Sequence, residues 1–339
     1  MWLNTTWFVL YVMIIAGYVV LDGFDLGVGM LSPFIAREDR ERRLLLNSIG
    51  PVWDGNEVWL VLGGGALFAA FPFVYASLFS GFYLAMMLVL LVLILRTVAI
   101  EFRSKRESAR WRATWDGFFF ASSLGITLLL GVALGNVVRG VAIDADGNMS
   151  ISLIDLLNPY SLAVGVVAVS MLSLHGAIFL TMKVEGDLLD RVTRLVPRLG
   201  ATFFVLTTIL VAWTLTIDSE LIDNFRDRPW TAIFPLLAFA ATVAAWRFVG
   251  HQLYLSAFLC SAVTISALLA SVAAGLYPVM LPSSTDPAND LTIYNAAAAQ
   301  NSLTVMFVVA LIGIPFVILY TAGVYYFFRG KVVLDADSY

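Results

Sequence analysis

Apolar runs of membrane-crossing length, separated by short charged segments, set the pattern of this chain. A hydrocarbon core of about 30 Å takes roughly 20 helical residues to cross. Runs of that size fall at 7–31, 47–71, 76–100, 116–138, 160–182, 199–217, 230–248, 252–277 and 301–328. Backbone that faces lipid must satisfy its own hydrogen bonds, so each run is predicted to be a helix. The expectation is an all-α integral membrane protein with nine transmembrane helices, in one domain over residues 1–339.

The charges between the runs alternate in density. One set of connections carries Arg37, Arg40, Arg42 and Arg43, then Arg103, Lys105, Arg106, Arg110 and Arg112, then Lys183, Arg191, Arg194 and Arg198, and finally Arg247, Arg329 and Lys331. The other set carries only Arg139, Arg226 and Arg228. Basic connections stay in the cytoplasm, which predicts an N-terminus outside and a C-terminus inside. The two longer outer segments, Arg139–Pro159 and Tyr277–Asn301, contain IDADGN and LPSSTDPAND, rich in turn formers, and are expected to cap their face.

Composition narrows the function. Residues are 60% hydrophobic and 13% charged, against about 45–50% and about 25% in soluble domains; mean hydropathy is +0.88. A single cysteine, Cys260, excludes a disulfide framework and a thiolate metal cluster. A net charge of −4 with no basic face argues against a nucleic-acid partner. The N-terminus lacks a short apolar core followed by a small-residue cleavage site, so the run from Trp7 reads as a retained span.

Candidate chemistry lies inside the runs, where a charge costs roughly 2.5–3.5 kcal/mol unless protein or water receives it. Asp22 and Asp25 are three residues apart, hence on one helix face, and Asp54 and Glu57 repeat the spacing in the next run. Antiparallel neighbours joined through the Arg37–Arg43 segment put both pairs at similar depth, about 15 Å from that basic segment. Arg96 and Glu101 enter the same half from the third run. Two readings stand side by side: a proton path fed from the cytoplasm, and a structural ion-pair network. His175, mid-run, is either a haem-iron ligand or, more commonly for such a residue, a hydrogen-bonded core histidine. His251, beside a charged connection, is expected to be solvated. Gly63, Gly64 and Gly65 suit close helix approach rather than a phosphate loop, and Trp53 and Trp59 read as packing.

The stretches LDGFDLGVGM, ERRLLLNSIGPVWDGNEVWLVLGGGALFAAFP and FRSK, with LPSST and LTIYNAAAAQNSLTVM near the C-terminus, together resemble subunit II of cytochrome bd-type quinol oxidases over essentially the whole chain. The resemblance implies two four-helix bundles plus one peripheral helix, in a bacterial or archaeal cytoplasmic membrane. It implies a heterodimer with subunit I, which ligates two b-type haems and one d-type haem and carries the quinol-oxidising loop, while this chain ligates none. The assembled enzyme oxidises quinol, reduces dioxygen to water and takes protons from the cytoplasm, building a proton-motive force.

Asp25 and Asp54 match the family aspartates associated with proton uptake, with Asp22 and Glu57 extending the path and Arg96 and Glu101 as supporting charges. Asp54 is the stronger candidate, expected to lie furthest from solvent, with Glu57 the next acceptor toward the partner's haems. Trp59 matches a tryptophan associated with oxygen access in some members. Some members add a small single-helix subunit, and some hold a structural quinone, for which no pocket is legible here. From the buried carboxylates alone, a proton-coupled secondary transporter is the alternative, although its acids would surround a midplane site between interrupted helices. A purely structural partner is a third reading.

Overall fold

The computed structural model describes residues 2–149, 151–217 and 220–334. Its helices are α1 Trp2–Ile35, α2 Asp39–Ile49, α3 Trp53–Ala70, α4 Pro72–Gly81, α5 Tyr83–Arg103, α6 Ala109–Arg139, α7 Leu153–Leu156, α8 Pro159–Lys183, α9 Gly186–Thr214, α10 Glu220–Asp227, α11 Ile233–Gly250, α12 Tyr254–Leu276 and α13 Gln300–Phe327. Among the described residues, eight helices are long and apolar enough to cross a bilayer: α1, α5, α6, α8, α9, α11 with its lead-in from Pro229, α12 and α13.

The predicted run 47–71 differs from expectation because the chain breaks within it. Pro51 has no N–H to continue the helical ladder, and Val52 leaves helical geometry at φ −127°, ψ −23°. The helix after the break, α3, has 18 residues and opens with Asp54, Asn56 and Glu57, which makes it less apolar than the other eight. Part of the expected basic connection is instead the polar helix α2. The run 76–100 is also divided, between α4 and α5, at Phe82, which leaves helical geometry at φ −95°, ψ 21°. The run 199–217 starts late for the opposite reason: α9 begins at Gly186, and its charged first turns continue the helix beyond the apolar stretch, with Pro197 accommodated inside it.

Helices α1, α3, α5 and α6 form one bundle, and α8, α9, α11 and α12 form the other. The two meet where α1 and α6 pack on α8. That contact is backbone to backbone: a Cβ on Gly176 would lie 2.6 Å from the Gly27 carbonyl carbon, so a larger residue would force the helices apart. In contrast to the expected triple approach, Gly63 alone meets α1, at Ile15, while Gly64 and Gly65 have no atom within 4 Å of a built Cβ. The peripheral helix α13 touches α1 and α3 and buries only Leu303.

At one end the two long connections join. Strands β1 Val279–Leu281 and β2 Leu291–Thr292 pair antiparallel, and Ser283, Thr285 and Asn289 all donate side-chain hydrogen bonds to the Ile143 carbonyl. At the arginine-rich end, Arg103 holds Asp116 at 2.5 Å and Asp39 at 2.8 Å, Arg112 reaches Asp39 and Arg42 reaches Asp116, each at 2.9 Å. Arg191 of α9 pairs with Glu41 of α2.

Partial burial pushes Asp39 up, but the hydrogen bond and charge of Arg103, with Arg112 and Arg43, hold it below the ordinary 3.8. Glu41 is likewise pushed up by burial and brought below the ordinary 4.5 by the Arg37 amide and Arg191. Carboxyls with lowered folded values add stability above the ordinary range and lose it as pH falls through the folded value. Thermal unfolding of the solubilised protein is therefore expected to show stability falling below pH 4.5. A variant combining Asp39→Asn with Glu41→Gln should flatten that acid limb, by an amount that salt diminishes because the pairs are partly exposed. Identical limbs in parent and variant would contradict the account.

Candidate functional site

The acidic residues of α1 face α3 and α5 in the interior of the first bundle. Asp22 and Arg96, both fully buried, form a bidentate pair, with Nη2–Oδ1 at 2.6 Å and Nη1–Oδ2 at 2.9 Å. Glu57 of α3 approaches the same guanidinium, 3.9 Å from Nη1, and its side chain remains 21% exposed. A fork of two parallel charge-assisted bonds is the strong geometry for such a pair, and an isolated buried charge would be costly.

Asp25, one turn on from Asp22, is fully buried, and among the described residues no arginine is bonded to it. Its Oδ2 accepts from Asn56 Nδ2 at 2.7 Å, and Oδ1 is buried without a hydrogen-bond partner among the described residues. Asn56 also donates to the Leu21 carbonyl at 3.1 Å and accepts from the Tyr325 hydroxyl of α13 at 2.8 Å. The Tyr18 hydroxyl, one turn before Asp22, is buried and likewise has no hydrogen-bond partner among the described residues. Two carboxyls, Asp22 and Glu57, thus share one guanidinium, and Asp25, a turn away, is held by the Asn56 amide instead.

Asp54 departs from expectation. It is exposed and lines a cavity of about 670 Å³ between α3 and α13, together with Trp59, Asn56, Thr321 and Tyr325. Helical rotation explains the difference: Trp53 and Asn56 are buried against the bundle with Glu57 half-buried at the edge of that face, which leaves Asp54, beyond Glu57, on the uncovered side. Asp54 therefore stands at the mouth of the cluster rather than at its deepest point. Trp59 lies over Gly17 of α1, where a built Cβ would meet its ring at 2.8 Å, and borders the same cavity. Glu101, partly buried, sits about 7.5 Å further along α5 than Arg96.

His175 is a core residue. Its Nδ1 meets Ser261 Oγ at 2.7 Å and its Nε2 the Val20 carbonyl at 2.9 Å, while its ring stacks on Phe258. Both nitrogens are engaged, so as placed it offers none to an iron. Among the described residues, no group of three or more His, Cys, Asp or Glu is arranged to hold a metal ion.

Sequence reading missed Asn56, Tyr325 and Tyr18. Asn56 had a signal: it sits between Asp54 and Glu57, on the helix face that also presents Glu57. Tyr325 had none, because nothing in an aromatic-rich run shows that its hydroxyl crosses to another helix.

Comparison with known proteins agrees with this architecture. The family described as cytochrome bd terminal oxidase subunit II matches residues 3–328. Cytochrome bd-I ubiquinol oxidase subunit 2 of Escherichia coli strain K12 is 36% identical over 98% of this chain and 96% of its own length. Cytochrome bd ubiquinol oxidase subunit 2 of Bacillus subtilis strain 168 is 36% identical over 97% of each chain. The fold superposes on a chain of the bd oxidase from Geobacillus thermodenitrificans with a TM-score of 0.80 at 18% identity, covering 97% of this chain and 99% of that one.

Proposed function

This chain belongs to the cytochrome bd terminal oxidase subunit II family, and on that premise we propose that its own task in the haem-containing complex is to admit protons toward the partner, subunit I. The complex is a terminal quinol oxidase: electrons pass from quinol to dioxygen, which leaves as water. The haems, of b and d type and held by subunit I, supply the electron transfer; the residues here hold and move protons. Family membership sets aside the secondary transporter.

The carrying observation is the charge imbalance around Arg96. One guanidinium neutralises one carboxylate, and Asp22 takes it by the bidentate contact. A second bare negative charge in a dry interior is costly, so a neutral Asp25 holding its proton on the unpartnered Oδ1 fits the site. The cavity lined by Asp54 gives water a place to stand beside Asn56, and Glu57 is the half-open carboxyl between the cavity and the buried pair. The proposed order is cavity, Asp54, Glu57, then Asp25 with Asp22 as the fixed counter-charge, the arginine-rich end lying in the cytoplasm.

A charge facing hydrocarbon is costly, which supports placing subunit I over the face that carries Asp54 and the thinly buried α13. Lipid, and in some complexes a single-helix subunit, cover other apolar faces. Trp59, at the cavity wall, is the residue proposed to border oxygen access.

The test is expression with and without subunit I. Together the chains should give b- and d-type haem absorption, quinol oxidation and prompt proton uptake after an oxygen pulse. Alone, this chain should be haem-free and poorly stable, because polar groups such as Asp54 then face lipid. A haem-loaded, active single chain would overturn the division of labour.

A further inference from the structure

Between its ends, α13 is held by few contacts, yet it delivers one polar group into the bundle. One end is fixed by Trp7 Nε1 donating to the Leu303 carbonyl at 3.0 Å and by Gln300 Nε2 donating to Asn4 Oδ1 at 2.9 Å. Beyond the other end, the chain turns back onto α8. Lys331 Nζ caps the Thr181 and Val184 carbonyls at 3.0 and 2.7 Å, and the Val332 amide donates to the Lys183 carbonyl at 2.9 Å. These last carbonyls of a helix need donors, so the strap is favourable where it sits. With both ends tied, Tyr325 arrives with its ring edge on Phe24, 6.3 Å between centroids, and its hydroxyl on Asn56.

The hydrogen-bond roles at Asn56 then follow. Its Oδ1 only accepts, so the Tyr325 hydroxyl is the donor. This bond favours the amide orientation that points Nδ2 at the Leu21 carbonyl and at Asp25 Oδ2. Oδ2 is thereby used as an acceptor, and Oδ1, without a partner, is the oxygen left to carry a proton. We propose that Tyr325 is a positioning residue for Asp25: through the Asn56 amide it selects the carboxyl oxygen that exchanges the proton. The proposal rests on the proton-uptake reading above and extends it to a helix that carries no acid of its own.

The experiment uses the assembled oxidase and two readouts, turnover and the reduced-minus-oxidised infrared difference spectrum. The carboxyl C=O band of Asp25 is the one that disappears in Asp25→Asn. Tyr325→Phe keeps the ring and removes only the hydroxyl. It is expected to retain haem content, shift the Asp25 band, and lower turnover roughly three- to tenfold, the scale of one net hydrogen bond. Asn56→Leu should shift the same band, and adding Tyr325→Phe to it should change little more, because the tyrosine acts through the amide. An unshifted band or full turnover in Tyr325→Phe, additive effects in the double variant, or loss of haem in Tyr325→Phe would each overturn the proposal. Normal turnover in Asp25→Asn overturns the proton-uptake reading itself; an inactive Asp25→Asn beside a silent Tyr325→Phe overturns the positioning alone.

Discussion

Arg96→Leu is expected to leave little assembled complex. The substitution removes the cation bonded to Asp22 and strands a fully buried carboxylate beside Glu57. Removing one member of a buried pair typically costs about 3–5 kcal/mol, a large part of the roughly 5–15 kcal/mol that holds an ordinary domain folded. The measurement is the yield of haem-containing complex from membranes, read by absorbance. A control separates the loss of charge balance from the loss of arginine itself: the double variant Asp22→Leu with Arg96→Leu removes both charges and should recover much of the yield, since apolar replacement of a whole buried pair is often neutral or stabilising. A double variant as poor as the single one would reject the charge-balance account. So would normal yield from Arg96→Leu.

Asp25→Asn is expected to assemble fully and turn over roughly 10²-fold more slowly, the scale of a lost proton-transfer group. Asparagine keeps the volume, and its Oδ1 still accepts from Asn56 Nδ2, so packing and haem content should be unchanged; only the exchangeable proton is gone. Asp54→Asn should act in the same direction with a smaller loss. Asp54 is exposed at the cavity, where water stands in for a missing carrier, whereas no solvent reaches Asp25. Asp54→Glu should retain most of the activity. Stopped-flow proton uptake alongside steady-state oxygen consumption checks the set. If Asp25→Asn turns over normally, the relay is wrong; if the asparagine variants fail to assemble, the carboxyls serve the fold.

Much of this arrangement is legible in one dimension because a membrane leaves few choices. The Asp22–Asp25 and Asp54–Glu57 spacings and the lone Arg96 announce a charged cluster in the first bundle, and the structure brings Asp22, Arg96 and Glu57 into one contact group with Asp25 a turn away. The depth of Asp54 was not legible. The three-residue spacing that groups it with Glu57 says only that the two share a broad face, and the rotation of α3 against α1 decides which of them the neighbouring helix covers. The break at Gly50–Val52 carries a plain signal in Pro51, but an apolar count over a long window averages across it. Tyr325 and the Lys331 strap depend on contacts between residues far apart in the chain and leave no periodic trace.

The sequence by itself determined that the chain is a bundle of membrane helices, where eight of its nine expected spans lie, where the charges concentrate, and to which family it is related. Each of these follows from local composition and spacing, since hydrocarbon penalises every unpaired backbone or charged group wherever it lies along the chain. Tertiary structure decided which carboxyl the guanidinium takes, which one is left without a cation, and which helix supplies the amide and the hydroxyl around it. Those outcomes depend on the relative rotation of helices set by side-chain packing and on close approaches such as Gly27 against Gly176, where interactions between distant residues, rather than the preference of any single segment, fix the geometry.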